Sequence, residues 1–184
     1  MLIEVPFLRR RLNTISEANK AACPAKLEII RAEIQVRLAY AVLLCYTLVI
    51  NGFLSAMDPL DILLQDEAIQ FSKEAIWVAQ ISRKDLPIGA GFMPATLFAA
   101  WTATDDSGVL QGIKTAMVDY KLHWAEWHYV ERFREMKHRM RGMRDKKLAE
   151  LREAGHVGLD VTDFTSADGF LYDWSVNWKE TPAT

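Results

Sequence analysis

The sequence predicts an all-α single domain of about six helices with an irregular, acidic and aromatic C-terminal tail. Three observations lead there. Apolar residues recur at helical spacing in successive stretches, helix-starting and helix-ending residues bracket those stretches, and no run alternates for long enough to make a convincing strand. The division is a helical domain over residues 1–156 and a tail over residues 157–184, packed on the domain or used for interaction. About half of the 184 residues are hydrophobic (51%), which suffices for one buried core and is far from a disordered composition.

Three consecutive arginines beside Phe7 and Leu8 suggest a short amphipathic helix or an arm at the N-terminus. Pro24 then opens the longest helical pattern, over residues 25–50. Leu27, Ile29, Ile30, Ile34, Leu38 and Val42 recur at helical spacing, with Glu28, Arg31, Glu33 and Arg37 between them. The later half is apolar all round, which predicts a fully enclosed helix. In the next helix Asp58 is placed to cap, Pro59 suits the first helical position, and Asp61 lies in the first turn. Residues 82–91 break that helix. Pro94 starts a short, almost uncharged one, and residues 104–108 form a turn rich in capping groups. Val109, Ile113, Ala116, Met117 and Tyr120 mark the next helix. A last long helix spans residues 122–153, with Tyr129, Phe133, Met136, Met140 and Met143 on its apolar stripe and Gly155 as its stop.

The formal net charge of −2 exerts no global pull on nucleic acid or acidic lipid. Two cysteines, Cys23 and Cys45, make no disulfide framework and point to a reducing compartment, so the expected location is intracellular, cytoplasmic or nuclear. The first residues place apolar side chains before arginines, the reverse of a secretory signal. Residues 38–57 carry no charge. Asn51-Gly52 reads as a helix stop that leaves an apolar run of about 20 Å, short of the ~30 Å that a bilayer core requires. The expectation is therefore a central buried helix, and no membrane span is favoured.

The order of elements over residues 37–120 resembles the C-terminal regulatory region of fungal binuclear zinc-cluster transcription factors. The residues that carry the resemblance are Asp58 with residues 62–78, Gly89 and Gly91, Pro94 with Ala100, Asp105-Asp106, and Val109 to Met117. In that family a buried helix, an acid-capped helix, a Gly/Pro breaker, a short apolar helix, an acidic turn and another helix follow in this order. The chain departs from the pattern in places. Its turn is Thr-Asp-Asp-Ser where the family has a Cys-Arg-Asp-Pro character, and the following helix lacks the family's arginine pair. Two cysteines stand where a zinc cluster needs six. The resemblance thus implies a free-standing helical domain that binds effectors or partners, without the module that reads DNA.

The densest polar and aromatic cluster is residues 123–138. His123 and Trp127, and Trp124 and His128, are four apart and face each other on a helix; Glu131 lies three residues beyond His128. A histidine held by a carboxylate beside an apolar cavity is the arrangement of general acid–base catalysis. The bland counterpart is an amphipathic helix with wet histidines and packed tryptophans. Glu135 and His138 match a di-iron spacing, yet the second motif that a metal site needs would straddle Gly155, so no metal ligands are assigned. Asp105 and Asp106 read as helix caps before general bases. The basic residues in 132–147 are spread around their helix, which argues for a solvated face and against direct nucleic-acid binding.

Two functions follow. The first is an effector- or partner-binding module, taking a small apolar ligand or a protein, with a homodimer among the partners. The alternative is a small cofactor-independent enzyme of isomerase or cyclase type. Its pocket would be lined by Trp77, Trp101, Trp124 and Trp127, and His123, His128, Asp105 and Glu131 would supply acid and base. Neither calls for a cofactor. The enzyme requires an enclosed apolar cavity of at least about 300 Å³; the binding module requires an exposed apolar face.

Overall fold

The structure is a computed structural model and describes residues 9–10, 12–14, 27–86, 90–120 and 128–155. Residues 9–10 and 12–14 are helical. Five longer helices follow: α1 (Leu27–Met57), α2 (Ile62–Ser82) with a 3-10 turn at Arg83–Asp85, α3 (Met93–Ala103), α4 (Ser107–Asp119) and α5 (His128–Glu153). The bundle is all-α, with no strand among the described residues. The tail lies outside them, as do Cys23 and Gly89.

The middle of the bundle is α3. Met93 and every residue from 96 to 102 are buried, and the helix packs against α1, α2, α4 and α5. Its composition explains this. Ala99 and Ala100 let neighbouring backbones approach, Leu97, Phe98 and Trp101 fill the core, and no charge has to leave water. Two hydroxyls fasten it: Thr96 Oγ1 donates to the Ala41 carbonyl at 3.1 Å, and Ser72 Oγ donates to the Ala100 carbonyl at 3.4 Å. Pro94 sits in its first turn, where a missing N–H leaves no bond unmade.

Two sequence expectations about α1 are corrected. It does not stop at Asn51-Gly52 but continues to Met57. Asn51 is held within the helix, its amide donating to Glu67 Oε2 at 3.4 Å and its carbonyl oxygen accepting from Ser55 Oγ at 3.4 Å. Nor is its later half enclosed. Tyr40, Ala41, Leu44 and Leu48 are fully buried, whereas Tyr46, Ile50, Phe53, Leu54 and Met57 on the other side are exposed. Among the described residues, α1 is the one helix long and apolar enough to cross a membrane by length and composition.

The cap of α2 moves by three residues from the expected place. Because α1 runs on to Met57, Asp58 and Pro59 are used up in the turn. Asp61 becomes the N-cap, its Oδ1 accepting from the N–H groups of Leu63 (2.9 Å) and Leu64 (3.4 Å). At the other end of the bundle, α1 is tied to the 3-10 turn by buried charges. Arg37, with 3% of its side chain exposed, donates to Glu33 Oε1 at 2.9 Å and meets Asp85 at 2.5 Å, and Lys84 reaches the same Glu33 oxygen at 3.0 Å. Burial pushes the Asp85 carboxyl above its ordinary pKa, with Arg37 and Lys84 opposing. The N-terminal segment docks nearby through the buried Leu12, an ion pair from Arg9 to Glu74, and the Arg9 guanidinium 5.1 Å over the Trp77 ring.

Candidate functional site

The polar centre of the bundle lies where the turn between α3 and α4 meets α5. Adjacent aspartates divide the work. Asp106 is the N-cap of α4, accepting from the Val109 N–H at 2.8 Å, and its own N–H donates to Thr104 Oγ1 at 3.1 Å. That leaves Asp105 pointing toward α5, where Lys137, Arg141 and Arg144 follow at helical spacing on one face. Asp105 Oδ1 lies 3.1 Å from Lys137 Nζ and 3.0 Å from Arg141 Nη2; Oδ2 lies 3.2 Å from Arg144 Nη1. Burial alone would raise the Asp105 pKa, but Lys137 and Arg141 outweigh it and bring the carboxyl down to about 2.

Lys137 is 3% exposed and fully used. Its ammonium donates to the carbonyls of Trp101 (2.7 Å) and Thr104 (3.1 Å), faces Asp105, and sits 4.5 Å over the Trp101 ring. Those carbonyls belong to the C-terminal turn of α3, where the helix dipole favours a cation. One lysine therefore caps α3, pairs with Asp105 and covers an indole. Packing on both sides holds it there. Phe133, one turn earlier, stacks on Phe98 with centroids 5.6 Å apart, and Met140 fits against Gly52 of α1.

Beside this cluster is a cleft lined by Gly52, Ser55, Ala56, Thr102, Asp105 and Arg144 among others, with room for about 40 Å³. That is one or two waters, well short of the roughly 300 Å³ of a small-molecule pocket.

Of the residues assigned to catalysis and binding from sequence, Asp105 and Trp101 meet at Lys137, whereas Glu131 and Trp77 lie elsewhere. Asp105 is an ion-pair hub; a carboxylate with a pKa near 2 is fully ionised at neutral pH and a poor base. The Glu131 side chain is 66% exposed and pairs with Arg134 at 2.7 Å. Trp101 is buried and meets α5 at Lys137. Trp77 is half-buried under Arg9, in a different neighbourhood. His123, Trp124 and Trp127 lie outside the described residues, as does the side chain of His128. No group of histidine, cysteine, aspartate and glutamate suited to a metal occurs among the described residues.

Sequence reasoning missed Lys137, Arg141 and Arg144, which it read as part of a solvated basic face. The apolar stripe of α5 is correspondingly different: Met140 is buried, Met136 half-buried and Met143 exposed. A signal existed. Two adjacent aspartates precede α4 but only one can cap it, and the interleaving of Phe133, Lys137, Met140 and Arg144 places cations on the apolar side. No family model matches the sequence, and neither the curated proteins nor the solved structures compared with it give a significant match.

Proposed function

We propose that this chain is a helical partner-binding module whose docking face is the outer surface of α1 and whose partner presents an apolar protein helix. Descent from the regulatory helical region of fungal zinc-cluster factors is part of the same proposal, resting on the order of elements over residues 37–120. The observation that carries the reading is the exposed apolar surface of α1, with Tyr46 and Met57 each 62% exposed on the side opposite the core. Monomeric proteins rarely leave more than a few hundred Å² of contiguous apolar surface in water, and larger patches mark interaction sites. An effector pocket finds less support among the described residues, where the cleft beside Asp105 is small and lined by charge.

A photoreactive amino acid in place of Tyr46 tests this. The expected result is one predominant protein adduct in cells, identified by mass spectrometry. Its binding to the purified chain should fall at least about tenfold with Tyr46→Glu and stay unchanged with Val118→Glu, an exposed site on α4. Absence of any protein adduct at position 46, or equal binding by both variants, overturns the proposal.

A further inference from the structure

We infer that the partner of this face is a second copy of the chain, joined through an antiparallel pairing of α1 with α1. This rests on the reading of α1 as a docking face and goes on to name what docks. Along α1, Ala32, Val36, Ala39, Leu43, Tyr46, Ile50, Phe53 and Met57 follow one another at alternating spacings of four and three, six of them exposed and two, Val36 and Leu43, at the edge of the face and packed against the core. That is an unbroken a/d heptad pattern, the seam of a coiled coil. Ala32, Ala39, Tyr46, Ile50, Phe53 and Met57 are exposed; Val36 and Leu43 are half-buried. The core is met by a different seam, in which Arg37, Ala41, Leu44, Leu48 and Asn51 are all buried. One helix thus carries two heptad seams; the bundle buries one of them and takes only the edge of the other, at Val36 and Leu43.

Side-chain size sets the direction. In an antiparallel pair, a-type positions face d-type positions of the other copy. The matching register puts Ala32 against Met57, Val36 against Phe53, Ala39 against Ile50, and Leu43 against Tyr46. Every layer then joins a smaller side chain to a larger one, as close packing requires. A parallel pair would set Ala32 on Ala32 and Met57 on Met57, leaving a void at one end and crowding at the other. It would also bring Asp58, directly after the end of the seam, against its own copy, whereas the antiparallel arrangement separates the two.

Length and charge agree with a second copy. The seam spans about 26 residues, or about 39 Å. A helix pair of that length buries on the order of 600 Å² or more per partner, the lower end of specific interfaces. Residues 38–57 carry no charge, and Glu33 and Arg37 turn to the core, so the two copies meet along the seam without like-charge repulsion. A lipid surface fits less well. Interfacial helices carry lysine and arginine beside the apolar face, and here the exposed charge directly after the seam, Asp58, is acidic.

Sedimentation equilibrium of the full chain tests the inference. The expected mass is twice the 21.0 kDa of the chain at concentrations of about 10–100 µM. Ile50→Glu should weaken association at least about 100-fold, because each dimer would bury two unpaired carboxylates. Val118→Glu should leave it unchanged. Ala39→Ile and Ile50→Ala should each weaken the dimer about tenfold, while the double variant, which restores both layers, should return to within about threefold of the parent. Additive loss in the double variant overturns the antiparallel register. A monomer at about 100 µM, or a monomer that binds vesicles of phosphatidylcholine and phosphatidylserine through Ile50, overturns self-association. If the chain is monomeric while position 46 still cross-links to a different protein, this inference fails and the partner-binding reading stands.

Discussion

Met140 of α5 lies against Gly52 of α1 so closely that a Cβ on Gly52 would stand 3.1 Å from the methionine sulfur. The missing side chain is therefore the crossing point of the two helices. It also explains why a residue pair that reads as a helix stop is kept inside a helix. Glycine costs about 1 kcal/mol of helix propensity there and makes room for α5.

Gly52→Leu is expected to destabilise the fold by about 2–3 kcal/mol, because the new side chain must displace Met140 and meet the Ala103 backbone. Gly52→Ala should be within about 1 kcal/mol of the parent: the gain in helix propensity opposes a contact that the flexible thioether relieves by a small shift. Urea unfolding of the two variants separates these outcomes.

Lys137→Met should cost about 3–4 kcal/mol. It keeps the volume of the stem but orphans the Trp101 and Thr104 carbonyls and removes one partner of Asp105. Glu131→Gln, on the exposed face of the same helix, should change stability by less than about 0.5 kcal/mol. Paired thermal and urea unfolding checks both.

Asp105 links stability to pH. Its folded pKa of about 2 lies below the roughly 3.9 of an unfolded aspartate, so ionisation favours the folded state. The contribution, on the order of 2 kcal/mol, should be complete above about pH 5 and fade as pH falls from about 4 to about 2. The stability difference between the parent and Asp105→Asn, measured across that range, should shrink toward acid. A difference that grows toward acid would contradict the assignment.

Arg37→Met removes the centre of the buried Glu33–Arg37–Asp85 group and leaves two carboxylates facing each other out of water. The expected loss is about 3–5 kcal/mol. Replacing Glu33, Arg37 and Asp85 together by apolar residues of similar size should recover most of it, since the pairing contributes less than its disruption costs. Denaturation midpoints of the single and triple variants decide.

Cys45 is buried beside the Ala95 carbonyl, and burial pushes its thiol up to about 11. In native protein at about pH 8 it should label with a maleimide at least about 100-fold more slowly than in urea. Peptide mass spectrometry after timed quenching reads this.

The sequence alone determined the helix class, the start of α3 at Pro94 to within a residue, the placing of α4 behind the turn that holds Asp105 and Asp106, and the stop of α5 at Gly155. Gly155 takes a φ of 72°, a left-handed conformation that glycine adopts without strain. These are local decisions, made by residues within one turn of where they act. The tertiary structure alone decided which helix is enclosed. Composition pointed to the later half of α1, yet α3, shorter and richer in alanine, takes the centre, and α1 keeps one apolar face in water. It also decided that Lys137, Arg141 and Arg144 turn inward. A cation's preference for water yields only when carbonyl ends and a carboxylate from another helix are already waiting at bonding distance, and no spacing along one helix records what another helix will offer.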